Sequence, residues 1–260
     1  MNTIRFLLAL LRLNAGDLRV RPGWALGSIA MMFGNNIVFF VIWVIYFRSF
    51  SSLGGWREPD VALMVGIVCW AFGLTMFLTG GMRNIAQAIV DGGLDLHLGR
   101  PCHPLPTLLL SRSEASGLGD MASAVVFWLW LGGRTAAELP LVILMATAAA
   151  VVVCATTVII QCLVFWAPRA FALCEELFMT LLMVTYYPQH PFGLSVRIVL
   201  FTVFPAAFVA FFPAEVVRHP DLGGVLGMLA AALAYAALAV VVFDRGLSRY
   251  RSGNRLLELR

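Results

Sequence analysis

Runs of about twenty mainly apolar residues recur along this chain, the length that carries a helix across a hydrocarbon core of ~30 Å. The pattern predicts six such helices, near 24–47, 61–81, 107–133, 139–165, 170–187 and 223–243. The third has to borrow residues before Asp120, because its uncharged stretch runs only from there to Gly133, and the fifth is short and carries Glu175 and Glu176. With 61% hydrophobic and 12% charged residues, and a mean hydropathy of +0.89, the chain has too little polar surface to cover a soluble globule of its size. A bilayer-embedded bundle needs no such cover. The expected fold is all-α and membrane-embedded, with six transmembrane helices.

The formal charge of +4 comes from arginine, since the sequence contains no lysine. A P-loop ATPase site needs the lysine of G-x-x-x-x-G-K-[ST] on the β/γ-phosphates, so ATP hydrolysis is expected on another chain. If both termini are cytoplasmic, thirteen arginines lie on the inner side: 5, 12, 19, 21, 83, 100, 112, 169, 245, 249, 251, 255 and 260. The remaining five (48, 57, 134, 197 and 218) lie outside. The positive-inside rule therefore predicts an integral protein of the cytoplasmic membrane with both ends inside. The first 23 residues lack the apolar core and cleavage site of a signal peptide, so none is expected. Cys69, Cys102, Cys154, Cys162 and Cys174 form no CxxC pair, and no disulfide or metal framework is indicated.

Residues 1–23 read as a helix of their own. Ile4, Leu7, Leu8, Leu11, Ala15 and Leu18 recur at helical spacing, and Arg5, Arg12 and Arg19 stand seven apart, which predicts an amphipathic helix with a basic edge lying on membrane lipid. The transmembrane domain then occupies 24–260. Between its second and third spans, residues 82–106 form a loop whose core, Asp91 to Pro106, holds glycines at 92, 93 and 99 and prolines at 101, 104 and 106. A helix must stop there, and the backbone is held in a fixed path. Read plainly, this is a solvated turn joining two helices; read functionally, its rigidity suits a part that docks something or transmits force. Downstream, 188–222 is apolar yet broken by five prolines, which fits an outer re-entrant helical hairpin better than a span.

Three sets of residues carry a resemblance: Gly93-Leu94-Asp95, Leu98, Arg100-Pro101 and Pro104-Leu105 in the loop; Tyr187-Pro188 after the fifth span; and Phe204-Pro205-Ala206-Ala207-Phe208 with Phe212-Pro213-Ala214-Glu215 before the last. In that order the chain resembles the ABC type-2 permeases, the membrane subunits of ATP-binding-cassette exporters, as a six-span half-transporter. The resemblance implies that Asp91, Gly93, Asp95, Arg100, Pro101 and Pro104, together with Arg5 and Arg12 of the N-terminal helix, contact a separate ABC ATPase subunit. It also implies a second permease copy, identical or related, around a central pathway. ATP and Mg would sit on the ATPase, and this chain would bind no cofactor.

Charges inside spans are costly and need a reason. Glu175 and Glu176 are expected either to pair with Arg169 or an arginine of the Asp91–Pro106 loop, or to act in substrate uptake or gating, where Pro205, Pro213 and Glu215 are the other candidates. Asp120 is expected at the inner interface. His97 and His103, near Asp91 and Asp95, lack metal-ligand spacing, and neither they nor His190 and His219 are given chemistry. The G-x-S-G turn and later-span histidine of an intramembrane serine protease are missing, as is H-E-x-x-H. The arginines flank spans rather than form a nucleic-acid surface. The expected role is thus a non-enzymatic permease of an ATP-driven exporter for a hydrophobic or amphiphilic substrate, the alternative being a self-contained channel or passive transporter.

Overall fold

A computed structural model describes residues 5–7, 9–10, 12–13, 21–100, 102–186 and 205–250 of the chain. The described residues of the N-terminal segment are helical, with Arg5 and Arg12 exposed. Helix α1 spans Pro22–Ser49, with Pro22 in its first turn, where a missing N–H costs nothing, and Arg48 in its last. It is apolar all round, and only a stripe including Asn36, Phe40 and Trp43, spaced at i, i+4 and i+7, is buried. Helix α2 (Glu58–Thr79) starts with Glu58 and Asp60 at the positive end of its dipole, and the Asp60 carboxylate accepts from the Arg57 N–H at 3.0 Å. It is buried along most of its length.

Beyond α2 the chain does not open into a loop at 82, as expected. A 3-10 turn (Gly80–Asn84) leads directly into α3 (Ile85–Val90), so a nearly continuous helical rod runs from Glu58 to Val90. Gly80 and Gly81 permit this path, because the carbonyls of Arg112 and Leu108 pass where their side chains would stand. Two short helices follow, α4 (Asp95–Leu98) and α5 (Pro104–Leu109). The expected third span is interrupted at 110–115. There Ser111 Oγ donates to the Leu108 carbonyl at 2.6 Å, Arg112 pairs with Glu114 at 3.3 Å, and the Glu114 N–H caps Met76 O at 3.1 Å. Polar side chains that end one helix and tie the backbone to α2 stop the span from extending backwards. The helix proper is α6 (Ser116–Val126), continued by a π-helical turn over Phe127–Leu131. Next come α7 (Leu139–Gln161), α8 (Phe171–Thr185), a π-helical turn at Ala207–Phe211, α9 (Phe212–Arg218) and α10 (Leu222–Leu247).

Four stretches among the described residues are long and apolar enough to cross a membrane: Pro22–Ser49, Glu58–Val90, Leu139–Phe165 and Leu222–Leu247. The Ser116–Leu131 helix has 16 residues and α8 has 15, roughly 22–24 Å at 1.5 Å per residue. The architecture is that of an all-helical, multi-pass integral membrane protein. Four of the six expected spans have full length, and the third and fifth positions hold shorter helices. The re-entrant region expected at 188–222 lies outside the described residues as far as 204; from Pro205 it is helical to Arg218.

Helix α2 sits at the centre, between α6 and α7, with α1 lying on α6 and α10 on α7. Thr75 Oγ1 of α2 donates to Ala150 O of α7 at 3.2 Å. Across the other face, a Cβ on Gly73 would stand 2.6 Å from the Gly117 carbonyl, and one on Gly117 would strike the Gly73 carbonyl in return. Small residues are what let helix backbones close up where lipid supplies no hydrophobic push. A β-branched side chain at either position, as in Gly73→Val or Gly117→Val, should cost about 1–3 kcal/mol through overpacking, read as a lower unfolding midpoint in detergent. Gly23→Ala and Gly27→Ala, with open space around both positions, should leave the midpoint unchanged.

Candidate functional site

At one end of the bundle, here the loop end, the Asp91–Pro106 segment folds back on the helices. Gly92 has φ +74°, a left-handed conformation that only glycine adopts freely, and it reverses the chain after α3. Gln87 donates to the Asp91 carboxylate, the Leu94 N–H reaches Ala88 O at 3.0 Å, and Gly93 packs on Ala88. His97 Nδ1 and Thr107 Oγ1 lie 2.9 Å apart, tying α4 to α5. Burial and then the nearby Arg100 guanidinium push the His97 imidazole below its ordinary value. His103 caps α5, and its Nε2 meets Asp244 Oδ1 of α10 at 2.9 Å. After α10, Tyr250 stands beside the half-buried Asp95, and burial, reinforced by that carboxylate, raises its phenol to about 12. The Arg100 guanidinium lies 5.9 Å from the centre of the Phe6 ring, bringing the N-terminal helix to the same place. Pro104 is buried as the first residue of α5, whereas Pro101 lies outside the described residues. Asp91, Gly93, Asp95, Arg100 and Pro104 are therefore joined in one folded unit, with Leu96 and Leu98 exposed on it.

Glu175 pairs neither with Arg169 nor with an arginine of the Asp91–Pro106 loop. Its partner is Arg83, at 3.1 Å, in the 3-10 turn after α2. The choice is geometric: α8 enters the bundle beside that turn, Arg83 lies over the Phe178 ring at 4.9 Å, and Gln161 donates to the second carboxylate oxygen at 3.3 Å while accepting from the Ala86 N–H at 3.1 Å. Glu176, one residue on, faces outward and is exposed. At the opposite end, Arg218 of α9 joins Asp60 (2.9 Å) to Glu215 (2.7 Å) and covers Trp56 at 4.7 Å. Trp56 is held there by a tight turn through Gly54 and Gly55, both at positive φ, and stacks on Phe211. Glu215 is thus part of an ion-pair network, and Pro205 and Pro213 are buried beside the π-helical turn.

Asp120, expected at the inner interface, is enclosed by neighbouring helices. It is 3% exposed, inside the bundle, where Asn36 Nδ2 donates to its Oδ1 at 2.6 Å and to Ser123 Oγ at 2.9 Å. Asn36 is halfway along α1 and was not singled out from the sequence; an amide within an otherwise apolar run was the available signal. Asp120 and Asn36 line a cavity of about 320 Å³ between α1, α2, α6 and α8. A polar cavity of about 380 Å³ adjoins it at the loop end, the two sharing Arg83 and Glu114. Another cavity, of about 350 Å³, lies between α2, α5, α7 and α10 with almost wholly aliphatic walls. Among the described residues no group of three or more His, Cys, Asp or Glu side chains gathers to hold a metal, and the five cysteines are free.

Long apolar helices with cavities between them and a structured loop at one end define a multi-pass membrane protein. The family model described as ABC-2 family transporter protein matches residues 29–253, nearly the whole chain, which therefore belongs to the ABC-2 transporter family. Its members are the non-catalytic permease components of their transporters, and this chain is a permease of that type. No curated protein and no solved structure matches it.

The Arg83–Glu175 pair is about two-thirds buried on each side. A double-mutant cycle on Arg83→Ala and Glu175→Ala should give a coupling of ~0.5–1 kcal/mol in unfolding free energy. Glu176→Ala should stay within about 0.5 kcal/mol of the parent. A coupling of zero would show that the contact holds nothing.

Proposed function

We propose that this chain is the membrane half of an ATP-driven exporter, working with a separate ABC ATPase subunit and pairing with a second permease copy. The family match over residues 29–253 carries the reading. Without lysine the chain has no P-loop of its own, so the energy comes from a partner. Six membrane passes are proposed, the shorter α6 and α8 helices being the third and fifth, with the re-entrant region at 188–222 before the last. By the positive-inside rule the loop end and both termini face the cytoplasm. The segment 1–23 lies on the inner lipid surface, with Arg5 and Arg12 toward the ATPase.

In this mechanism the ATPase docks at the loop end, where Asp91, Gly93, Asp95, Arg100, Pro101 and Pro104 are the proposed contacts. Movement of that unit passes to α2, because the helical rod from Glu58 to Val90 leads into it, and to α10 through His103 and Asp244. Exposed Leu96 and Leu98 supply an apolar contact. Glu175, Glu176, Pro205, Pro213 and Glu215 remain the proposed pathway or gating residues, Glu175 and Glu215 through the ion pairs that would have to rearrange. The walls favour a hydrophobic or amphiphilic substrate, since burying an unpaired polar ligand is expensive.

Reconstituted with its ATPase, the chain should drive ATP-dependent movement of substrate in vesicles. Asp95→Ala or Arg100→Ala should leave membrane insertion near normal and lower transport and substrate-stimulated hydrolysis roughly 5–150-fold, the range of a coupling free energy of ~1–3 kcal/mol. Full transport by both variants would remove the coupling role. Full downhill movement by the lone chain, with no gain from ATPase and ATP, would replace the exporter by a passive carrier.

Orientation is tested separately. In a background lacking the native cysteines, Gly54→Cys and Ala136→Cys should react with an impermeant thiol reagent from outside intact cells, and Gly253→Cys only after the membrane is opened. The reverse pattern would put the docking unit on the wrong side.

A further inference from the structure

An ionisable side chain inside a membrane bundle ordinarily has a partner of opposite charge or a wet route to one. Two of this chain's partly buried acids follow that rule: Glu175 has Arg83 and Asp60 has Arg218. Asp120 does not. Its Oδ1 takes the Asn36 amide, but among the described residues no arginine pairs with it and no side chain donates to Oδ2. Arg83, at the loop end of the same cavity, is already committed to Glu175. A buried carboxyl without a cation avoids the cost of a lone charge by holding its proton, and it ionises when a cation comes within reach. The cavity in front of it offers a way to satisfy it.

That cavity is shaped for an organic cation. Phe39, Phe72, Phe178 and Tyr186 line it, the Phe39 and Tyr186 rings standing 4.7 Å apart and Phe72 and Phe178 6.4 Å apart. Aromatic faces attract ammonium groups and keep them desolvated. Met32, Met76, Met179 and Met183 add flexible apolar wall that adapts to different shapes. A volume of about 320 Å³ lies at the lower end of the usual range for small-molecule sites. A single carboxylate among thioethers and rings is a poor nest for a metal ion, which would need several more oxygens. At the mouth, Arg83 with Glu175 and Arg112 with Glu114 are paired, so their charges balance and no net positive field repels a cation arriving through the polar cavity.

We propose that the cavity between α1, α2, α6 and α8 is a binding site for a lipophilic amine, whose protonated nitrogen meets the Asp120 carboxylate while its apolar body lies between the aromatic and methionine walls. The inference rests on the transporter reading and narrows its substrate class. Asn36 is the positioning residue: it holds Oδ1 and leaves Oδ2 to the ligand.

The test is direct binding to the purified full-length chain in lipid nanodiscs, without ATPase. The ligands are a dodecylamine with a free amine at one end and a dansyl group attached at the other, and two matched analogues whose amine is replaced by a neutral amide or an anionic carboxylate. The wild-type chain should bind the amine about tenfold or more tightly than the amide, an ordinary yield for a desolvated charge pair, and the carboxylate most weakly. Asp120→Asn, which keeps the size and the Asn36 contact, should abolish the preference by weakening the amine alone. Met183→Trp, which adds bulk at the cavity rim and leaves Asp120 intact, should weaken amine and amide equally. Equal binding of amine and amide by the wild-type chain overturns the proposal, as does an unchanged preference in folded Asp120→Asn. If that variant does not fold, the wild-type ligand series and Met183→Trp decide. Because no ATPase is present, failure here leaves the exporter reading standing, and failure to recruit an ATPase leaves the site standing.

Discussion

The close approach of α2 and α6 sets the position of nearly everything else in the bundle. Between helices in lipid there is no water to expel, so association rests on contact and on hydrogen bonds. Gly73 and Gly117 let the two backbones touch, Gly66 leaves room for the Trp128 indole, and on the opposite side of α6 Gly119 admits the Ile29 carbonyl of α1. Three helices are drawn together at backbone distance. Asp120 lies one turn from Gly117, and its Cβ is 2.7 Å from where a Gly73 Cβ would be. The same contacts that stabilise the core therefore place a carboxylate against the amide of α1.

Helix α2 also measures the membrane. Asp60 near its start and Arg83 just past its end are 23 residues apart, roughly 35 Å at 1.5 Å per residue, slightly more than the ~30 Å of a hydrocarbon core. Each of these charges anchors a network that ties neighbouring elements to α2: Arg218 and Glu215 at one end, Glu175, Gln161 and the Ala86 N–H at the other. The interior between them is apolar except for the Asp120 cluster and a few hydroxyls. In the transporter reading this makes α2 the natural element to carry movement from the docking unit into the cavity wall, since it touches both.

Much of the architecture was legible in the sequence. Hydropathy located α1, α2, α7 and α10 to within a few residues, because a span must be apolar whether it faces lipid or neighbouring helices. The prolines and glycines of Asp91–Pro106 marked a structured reversal, since Pro104 starts a helix and Gly92 takes a positive φ for reasons local to each residue. The break at 110–115 was less visible. Ser111, Arg112, Ser113 and Glu114 are a polar run, but that they end one helix and cap Met76 depends on α2 lying alongside.

Local chemistry, then, determined on its own the membrane class, the four long spans and the place of the rigid loop. Each follows from the solvation of single residues or from backbone preferences within a few residues of chain. Tertiary structure alone decided who pairs with whom. Glu175 could have met Arg169, close in sequence, yet it meets Arg83, 92 positions away. Asp120 could have reached headgroups, yet it is enclosed beside Asn36, 84 positions away. No local rule selects such partners, because the energy of a buried charge depends on what stands within a few ångströms of it, and that is set by how separate helices pack.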